Sequence, residues 1–65
     1  MLSIKNQEQE DCSVWMVDMN GHICYEGNIK PNDDIELDIK TYRSGIYTLI
    51  FKTEHTSYKQ NVIKY

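Results

Sequence analysis

The chain has 65 residues, a net charge of −3, 40% hydrophobic residues and 26% charged residues, which suits one small globular domain. Its seven basic residues are scattered, whereas a nucleic-acid backbone or an anionic membrane attracts clustered Lys and Arg, so the composition argues against both partners. No apolar run approaches the roughly 18 residues of a transmembrane helix.

The N-terminal segment, MLSIKNQEQEDC, predicts a short edge strand at LSIK. It lacks the apolar stretch of about 7 to 15 residues that forms the centre of a signal peptide. We therefore expect a cytoplasmic protein, a mature form or a trimmed piece of a longer protein. The first residues do not distinguish these three alternatives.

The segments CSVWMVD and HICYEG predict two strands joined by a hairpin turn at residues 19–21, because Asn-Gly accepts the positive φ angles of a tight turn. Both alternating sets of side chains in the first strand are largely apolar. This indicates a central strand that is covered on both faces, or one whose faces the pattern does not separate. We interpret Trp15 as a core residue and place Ile23 and Tyr25 on one face of the return strand.

The chain has two cysteines, Cys12 and Cys24, which flank this hairpin. Pairing about the turn places Cys12 opposite Asn28 or Ile29, so the cysteines lie about four positions out of register, or roughly 13 Å apart. A disulfide needs Cα atoms within about 7 Å. We predict two buried free thiols and no bridge, and the redox compartment stays open.

The middle of the chain predicts a loop followed by a half-buried strand. NIKPNDD is a loop, because Pro31 cannot donate to a ladder and residues 32–33 favour a turn. DIELDIK then alternates strictly between apolar and polar side chains. Its inward set is Ile35, Leu37 and Ile39.

A glycine precedes the most strand-like run of the chain. Residues 41–44 predict a corner, which Gly45 closes with a backbone conformation that other residues resist. The run IYTLIFK has β-branched and aromatic residues on both faces, which favours a central strand. Its inward row is Tyr47, Leu49 and Phe51.

The last elements are a turn at TEHTS and a strand at YKQNVIKY, with Tyr58 and either Val62 or Ile63 facing inward. In total, five or six short strands with turns about every 10 to 12 residues predict an all-β fold, a small antiparallel sandwich. We predict a single domain over residues 1–65, with an edge strand and loop in 1–12 and the core in 13–65.

Four segments in this order carry a family resemblance: VWMVDMNGHICYEG, IELDI, SGIYTLIFK and NVIKY. Residues 14–65 resemble the C-terminal sorting domain of type IX secretion cargo from Bacteroidetes bacteria, and Gly21, Gly45, Tyr47 and Lys64 fall on the marked positions of that family. The chain also resembles small secreted or periplasmic Bacteroides domains of unknown function. It departs from the sorting domain in lacking the Asn-Pro strand that usually opens it.

The resemblance implies an immunoglobulin-like β-sandwich that acts as a non-enzymatic sorting module. It implies a protein partner, the type IX secretion machinery, and a location in the periplasm, at the cell surface or outside the cell. Gly45, Tyr47, Lys64 and Tyr65 would carry the recognition, although Gly45 and Tyr47 are equally read as determinants of the fold.

An alternative function is a binding module of the cell envelope that contacts protein or glycan. Its contacts would be the edge strands at LSIK and NVIKY, or three partly exposed tyrosines. These are Tyr42, Tyr58 and Tyr65. The same edge strands would allow a homodimer.

Metal and catalytic sites are not expected. His22 and Cys24 share a face of one strand, but Cys12 lies in the partner strand and His55 in a distant turn, whereas zinc needs about four converging ligands. The sequence shows no nucleophile held by a base. We therefore predict no catalytic residues, no metal and no cofactor.

One acidic group is a candidate for calcium binding. It comprises Asp33, Asp34, Glu36 and Asp38. Strand spacing spreads these carboxylates over about 13 Å, without a calcium-binding loop. We interpret them as a solvated face that discourages strand aggregation.

Overall fold

The computed structural model describes residues 1–65 and contains six strands, two antiparallel sheets and no helix. The strands are β1 (Leu2–Lys5), β2 (Cys12–Val17), β3 (Ile23–Ile29), β4 (Asp34–Leu37), β5 (Gly45–Lys52) and β6 (Ser57–Lys64). The predicted small all-β domain is confirmed. The structure has no helix long and apolar enough to cross a membrane.

The strands form a small sheet, β1-β4, and a large sheet in the order β3-β2-β5-β6. The predicted central positions of β2 and β5 are confirmed, because each has a paired neighbour on both sides. Strand β1 is the predicted edge strand, and it pairs from Leu2↔Leu37 to Lys5↔Asp34. The immunoglobulin-like arrangement implied by the resemblance stays a prediction.

The hydrophobic core contains side chains of both sheets. Its buried members are Ile4, Cys12, Val14, Met16, Ile29, Tyr47, Leu49 and Phe51. The predicted inward rows are confirmed. Tyr47, Leu49 and Phe51 of β5 are buried in this cluster, and Ile35 and Leu37 of β4 pack against it, as does Ile39 beyond the end of β4. In β6 the inward residue is Val62, whereas Ile63 is 55% exposed.

The outer face of the large sheet has no layer over it, which corrects the interpretation of Trp15. This residue is half-buried on the face of β2 opposite Val14 and Met16. Its Nε1 donates to Glu26 Oε2 at 2.7 Å. The prediction that Trp15 is a core residue was wrong. The small sheet covers only one face of β2, and because both rows of β2 are apolar, the sequence pattern does not indicate which face that is.

The predicted hairpin between β2 and β3 is confirmed. Gly21 has a φ of +84°, and the amides of Asn20 and His22 both donate to Asp18 Oδ1 at 2.9 Å. The register shifts between Met16 and Val17. This bulge breaks the simple alternation of β3 near the turn, so Ile23 is 62% exposed while Tyr25 packs against the core.

The cysteines are unbridged, as predicted, and Cys12 pairs with Ile29 across the hairpin. Cys12 is buried, and burial raises the pKa of its thiol. Cys24, however, is exposed, which corrects the prediction of two buried thiols. Cys24 lies beside the bulge on an edge strand, where no second layer covers it.

Candidate functional site

One end of the sandwich brings the predicted recognition residues together. Strands β5 and β6 pair so that Gly45 faces Lys64 and Tyr47 faces Val62. Tyr65 follows directly after β6. Three of the four predicted residues therefore lie side by side on two strands, although they are about 20 positions apart in sequence. Their role in recognition stays a prediction.

Gly45 permits the chain to enter β5 from the preceding corner. Its φ is +151°, a backbone conformation that L side chains rarely adopt. A Cβ added there would meet only Met19 Cε, at an ordinary 3.5 Å. The glycine is thus required by backbone conformation and not by lack of space.

Tyr47 acts in the fold. It is only 6% exposed, and its hydroxyl donates to the carbonyl oxygen of Arg43 at 2.6 Å. This bond ties the start of β5 to the corner four residues upstream, an arrangement like the tyrosine corner of β-sandwiches. A partner would reach little of the Tyr47 side chain, so its direct contribution to recognition is small.

Tyr65 is the exposed member of the set, and Lys64 is half-buried. The Lys64 ammonium is 3.3 Å from the carbonyl oxygen of Tyr65 and takes part in none of the three ion pairs of the chain. Tyr65 is 91% exposed. An unpaired ammonium beside an exposed aromatic ring suits contact with a protein surface that carries acidic groups.

A groove of about 660 Å³ lies at this end, between the β2–β3 turn and the corner before β5. Its lining includes Met19, His22, Tyr42, Arg43 and Gly45. Tyr42 donates to a backbone carbonyl of β3 at 3.3 Å, and burial raises the pKa of its phenol. Gly45 lines the groove and pairs with Lys64, whereas Lys64 and Tyr65 are not among the lining residues.

The three tyrosines of the alternative function do not form one platform. Tyr42 is half-buried in the groove and Tyr65 is exposed at the same end. Tyr58 lies near the opposite end of β6, where its ring stacks on Phe51 with centroids 4.7 Å apart. A glycan stacked on all three rings is therefore incompatible with the fold.

The four zinc candidates are also separated. His22 and Cys24 line the groove, and Cys12 is buried in the core. His55 lies in the β5–β6 turn at the other end of the sandwich, beside Glu10. The acidic residues Asp34 and Glu36 are exposed on β4, as expected for a solvated face.

Asn6 is a structural residue that the sequence analysis missed. It is 1% exposed, and its Nδ2 donates to the carbonyl oxygens of Glu10 and Ile29, each at 2.9 Å. Its Oδ1 accepts the amide of Glu8 at 2.9 Å. A signal was present, because Asn6 continues the inward alternation of Leu2 and Ile4 in β1.

Glu10 and His55 form a second feature without a local sequence signal. His55 Nδ1 is 2.9 Å from Glu10 Oε2, although 45 positions separate the two residues. The Thr53 hydroxyl and the His55 ring hold the pKa of the Glu10 carboxyl below its ordinary value. The pair joins the β1–β2 loop to the β5–β6 turn.

This pair predicts a specific acid dependence of stability. A carboxyl group whose pKa is lower in the folded than in the unfolded state stabilises the fold at pH values above its unfolded pKa. This stabilisation is lost as the pH falls through the folded pKa. From about pH 5 to about pH 3, the melting temperature of Glu10→Gln should therefore fall less than that of the wild type. Glu36→Gln, an exposed carboxylate on β4, is the control and should keep the wild-type slope. Equal slopes for Glu10→Gln and the wild type would contradict the prediction.

Comparison with known proteins gives the family. The chain matches the model of the secretion system C-terminal sorting domain over residues 1–65, its whole length. No curated protein and no solved structure matched. The family is a sorting signal of type IX secretion and implies a secreted or cell-surface protein that the secretion machinery recognises. This chain therefore belongs to the family of type IX secretion C-terminal sorting domains.

Proposed function

We propose that the domain is a non-catalytic module and that the secretion machinery contacts it at the end of the sandwich where Gly45 pairs with Lys64. The observation that supports this proposal is the register of β5 and β6, in which Lys64 pairs with Gly45, a residue that lines the groove. Gly45 and Tyr47 shape this end from inside, and the Lys64 ammonium and the exposed Tyr65 ring would provide the contacts.

Electrostatics favour Lys64 as the charged contact. Strand β6 carries two lysines and no acidic residue, whereas the whole chain has a net charge of −3. A basic strand on an acidic domain orients the approach of an acidic partner surface, because complementary potentials steer association. The domain would meet that partner in the periplasm, before it reaches the cell surface or the medium.

A transport assay tests this function. Residues 1–65 are fused to the C-terminus of a periplasm-targeted fluorescent protein in a bacterium with type IX secretion. We expect fluorescence at the surface or in the medium, and retention in the periplasm of a secretion-null strain. A folded fusion that stays in the periplasm of the competent strain would overturn the function.

The same assay tests the residue assignment. Lys64→Ala should lower export by at least about tenfold, because loss of a charged contact costs more than about 1.4 kcal/mol of binding. Lys59→Ala is the matched control, an exposed lysine on the same strand, and should be exported like the wild type. Both variants should retain the circular dichroism spectrum of the wild type. If the two variants were exported equally, the assignment of Lys64 as a contact residue would be wrong.

A homodimer is a second candidate, favoured by the eight-residue free edge of β6. An antiparallel pair of β6 strands with Gln60 on the two-fold axis would place Tyr58 of each copy opposite Val62 of the other. Aromatic and β-branched side chains pair well in this position, and no lysine faces another lysine. Sedimentation velocity tests it: a monomer at all concentrations would exclude the dimer.

A further inference from the structure

The end of the sandwich opposite Lys64 holds a compact group of metal-ligating side chains. Glu10 lies in the β1–β2 loop, and Glu54 and His55 lie in the β5–β6 turn. Their ligand atoms all lie within 4.8 Å of one another. We infer that these three residues form a site for one divalent transition-metal ion of the zinc class. The inference is independent of the sorting function.

The spacing of the ligand atoms fits such an ion. His55 Nδ1 lies 2.9 Å and 3.2 Å from the two carboxylate oxygens of Glu10. Tetrahedral zinc with bonds of about 2.0–2.2 Å places its ligand atoms about 3.3–3.6 Å apart, so small side-chain movements would admit the ion. Histidine nitrogen and carboxylate oxygen are both zinc ligands, so one imidazole and two carboxylates would fill three positions, and a water or a partner's side chain would fill the fourth.

The backbones that carry these ligands are fixed before any ion binds. The only two buried polar residues of the domain are Asn6 and Thr53. Asn6 holds the carbonyl of Glu10, and Thr53 Oγ1 accepts the amides of His55 and Thr56 at 3.3 and 3.0 Å. Thr53 N also donates to the carbonyl of Thr56 at 2.8 Å. Fixed ligands lose less entropy on binding, which raises affinity.

The other histidine of the chain lacks these properties. His22 Nδ1 lies 3.7 Å from Asp18 Oδ2, and Asp18 Oδ1 already accepts two amides of the turn. No third ligand joins that pair, since the cluster at Glu10 is the only group of three or more such side chains. His22 therefore provides a matched control within the same chain.

Calorimetric titration of the purified 65-residue chain with zinc chloride tests the inference. We expect one zinc ion per chain and a raised melting temperature. Proton NMR should show the ring signals of His55 shifting and those of His22 unchanged. Calcium at the same concentration should not bind, because it prefers an all-oxygen shell.

Two substitutions and a control test whether zinc binds at this cluster. His55→Ala and Glu54→Gln should each weaken zinc binding by at least about tenfold, whereas His22→Ala should leave it unchanged. Glu54 and His55 are both exposed, so both variants should fold, and circular dichroism would verify this. Absence of saturable zinc binding by the wild type, or equal loss in His22→Ala and His55→Ala, would overturn the site.

Discussion

Phe51→Ala should remove a large part of the stability of the domain. Phe51 is 4% exposed, lies opposite Val14 of β2 and stacks on Tyr58 of β6. Truncation of a buried phenylalanine costs about 3–5 kcal/mol. A domain of this length has a total stability of about 3–10 kcal/mol, so one substitution removes much of it. Urea unfolding, followed by Trp15 fluorescence, measures the loss.

Ile63→Ala is the control for this substitution. Ile63 belongs to β6 but is 55% exposed on the outer face, so its truncation should change stability by less than about 1 kcal/mol. A Phe51→Ala midpoint close to that of Ile63→Ala would contradict the two-layer core. In the transport assay, Phe51→Ala should also lower export, because the unfolded fraction of the fusion does not present the end of the sandwich as a surface.

Asn6→Ala should destabilise the domain by about 2–4 kcal/mol, which is a large effect for one polar side chain. The substitution removes three hydrogen bonds and leaves the carbonyl of Ile29 without its donor. Each of the three lost bonds is worth about 0.5–1.5 kcal/mol, which accounts for the expected loss of stability. Chemical denaturation at pH 7 would measure the change in free energy of unfolding.

The comparison with Asn6→Asp sharpens this test. Aspartate keeps the size of asparagine but replaces the donating amide with a carboxylate oxygen that faces two carbonyl oxygens. Burial of that charge should make Asn6→Asp less stable than Asn6→Ala at pH 7. Gln7→Ala, an exposed neighbour, is the control and should remain near wild type. If Asn6→Asp were as stable as the wild type, the donated bonds would contribute nothing.

Much of the fold follows from the alternation of side chains. The rows of β4 and β5 could be assigned in advance, because Ile35 and Leu37, or Leu49 and Phe51, repeat with a period of two. The hairpin before β3 followed from Asn20-Gly21. Strand β2 was ambiguous, since both of its rows are apolar. Only the position of the small sheet decides that Val14 is inside and Trp15 outside.

The ends of the sandwich were less predictable than its strands. The bulge that exposes Ile23 and Cys24 depends on how β2 and β3 twist together, which a hairpin motif does not encode. Glu10 and His55 meet because two loops converge at one end of the sandwich. The sequence around either residue contains no pattern that predicts contact with the other. The pairing of Gly45 with Lys64, in contrast, follows once the β5–β6 turn is located, since antiparallel register fixes which residues face each other.

The pairing of β1 with β4 has a consequence for the order of folding. Leu2 pairs with Leu37, so the small sheet closes a loop across 35 positions (37 − 2). The β2–β3 and β5–β6 hairpins need only short turns, which close within about microseconds, and distant pairings are slower. The pairing of β2 with β5, which joins these hairpins, is as distant, at 31 to 39 positions (48 − 17 and 52 − 13). We therefore expect the two hairpins to form first, with their inner rows still bare. The two distant pairings, β2 with β5 and β1 with β4, then end the period in which the chain is most exposed to self-association.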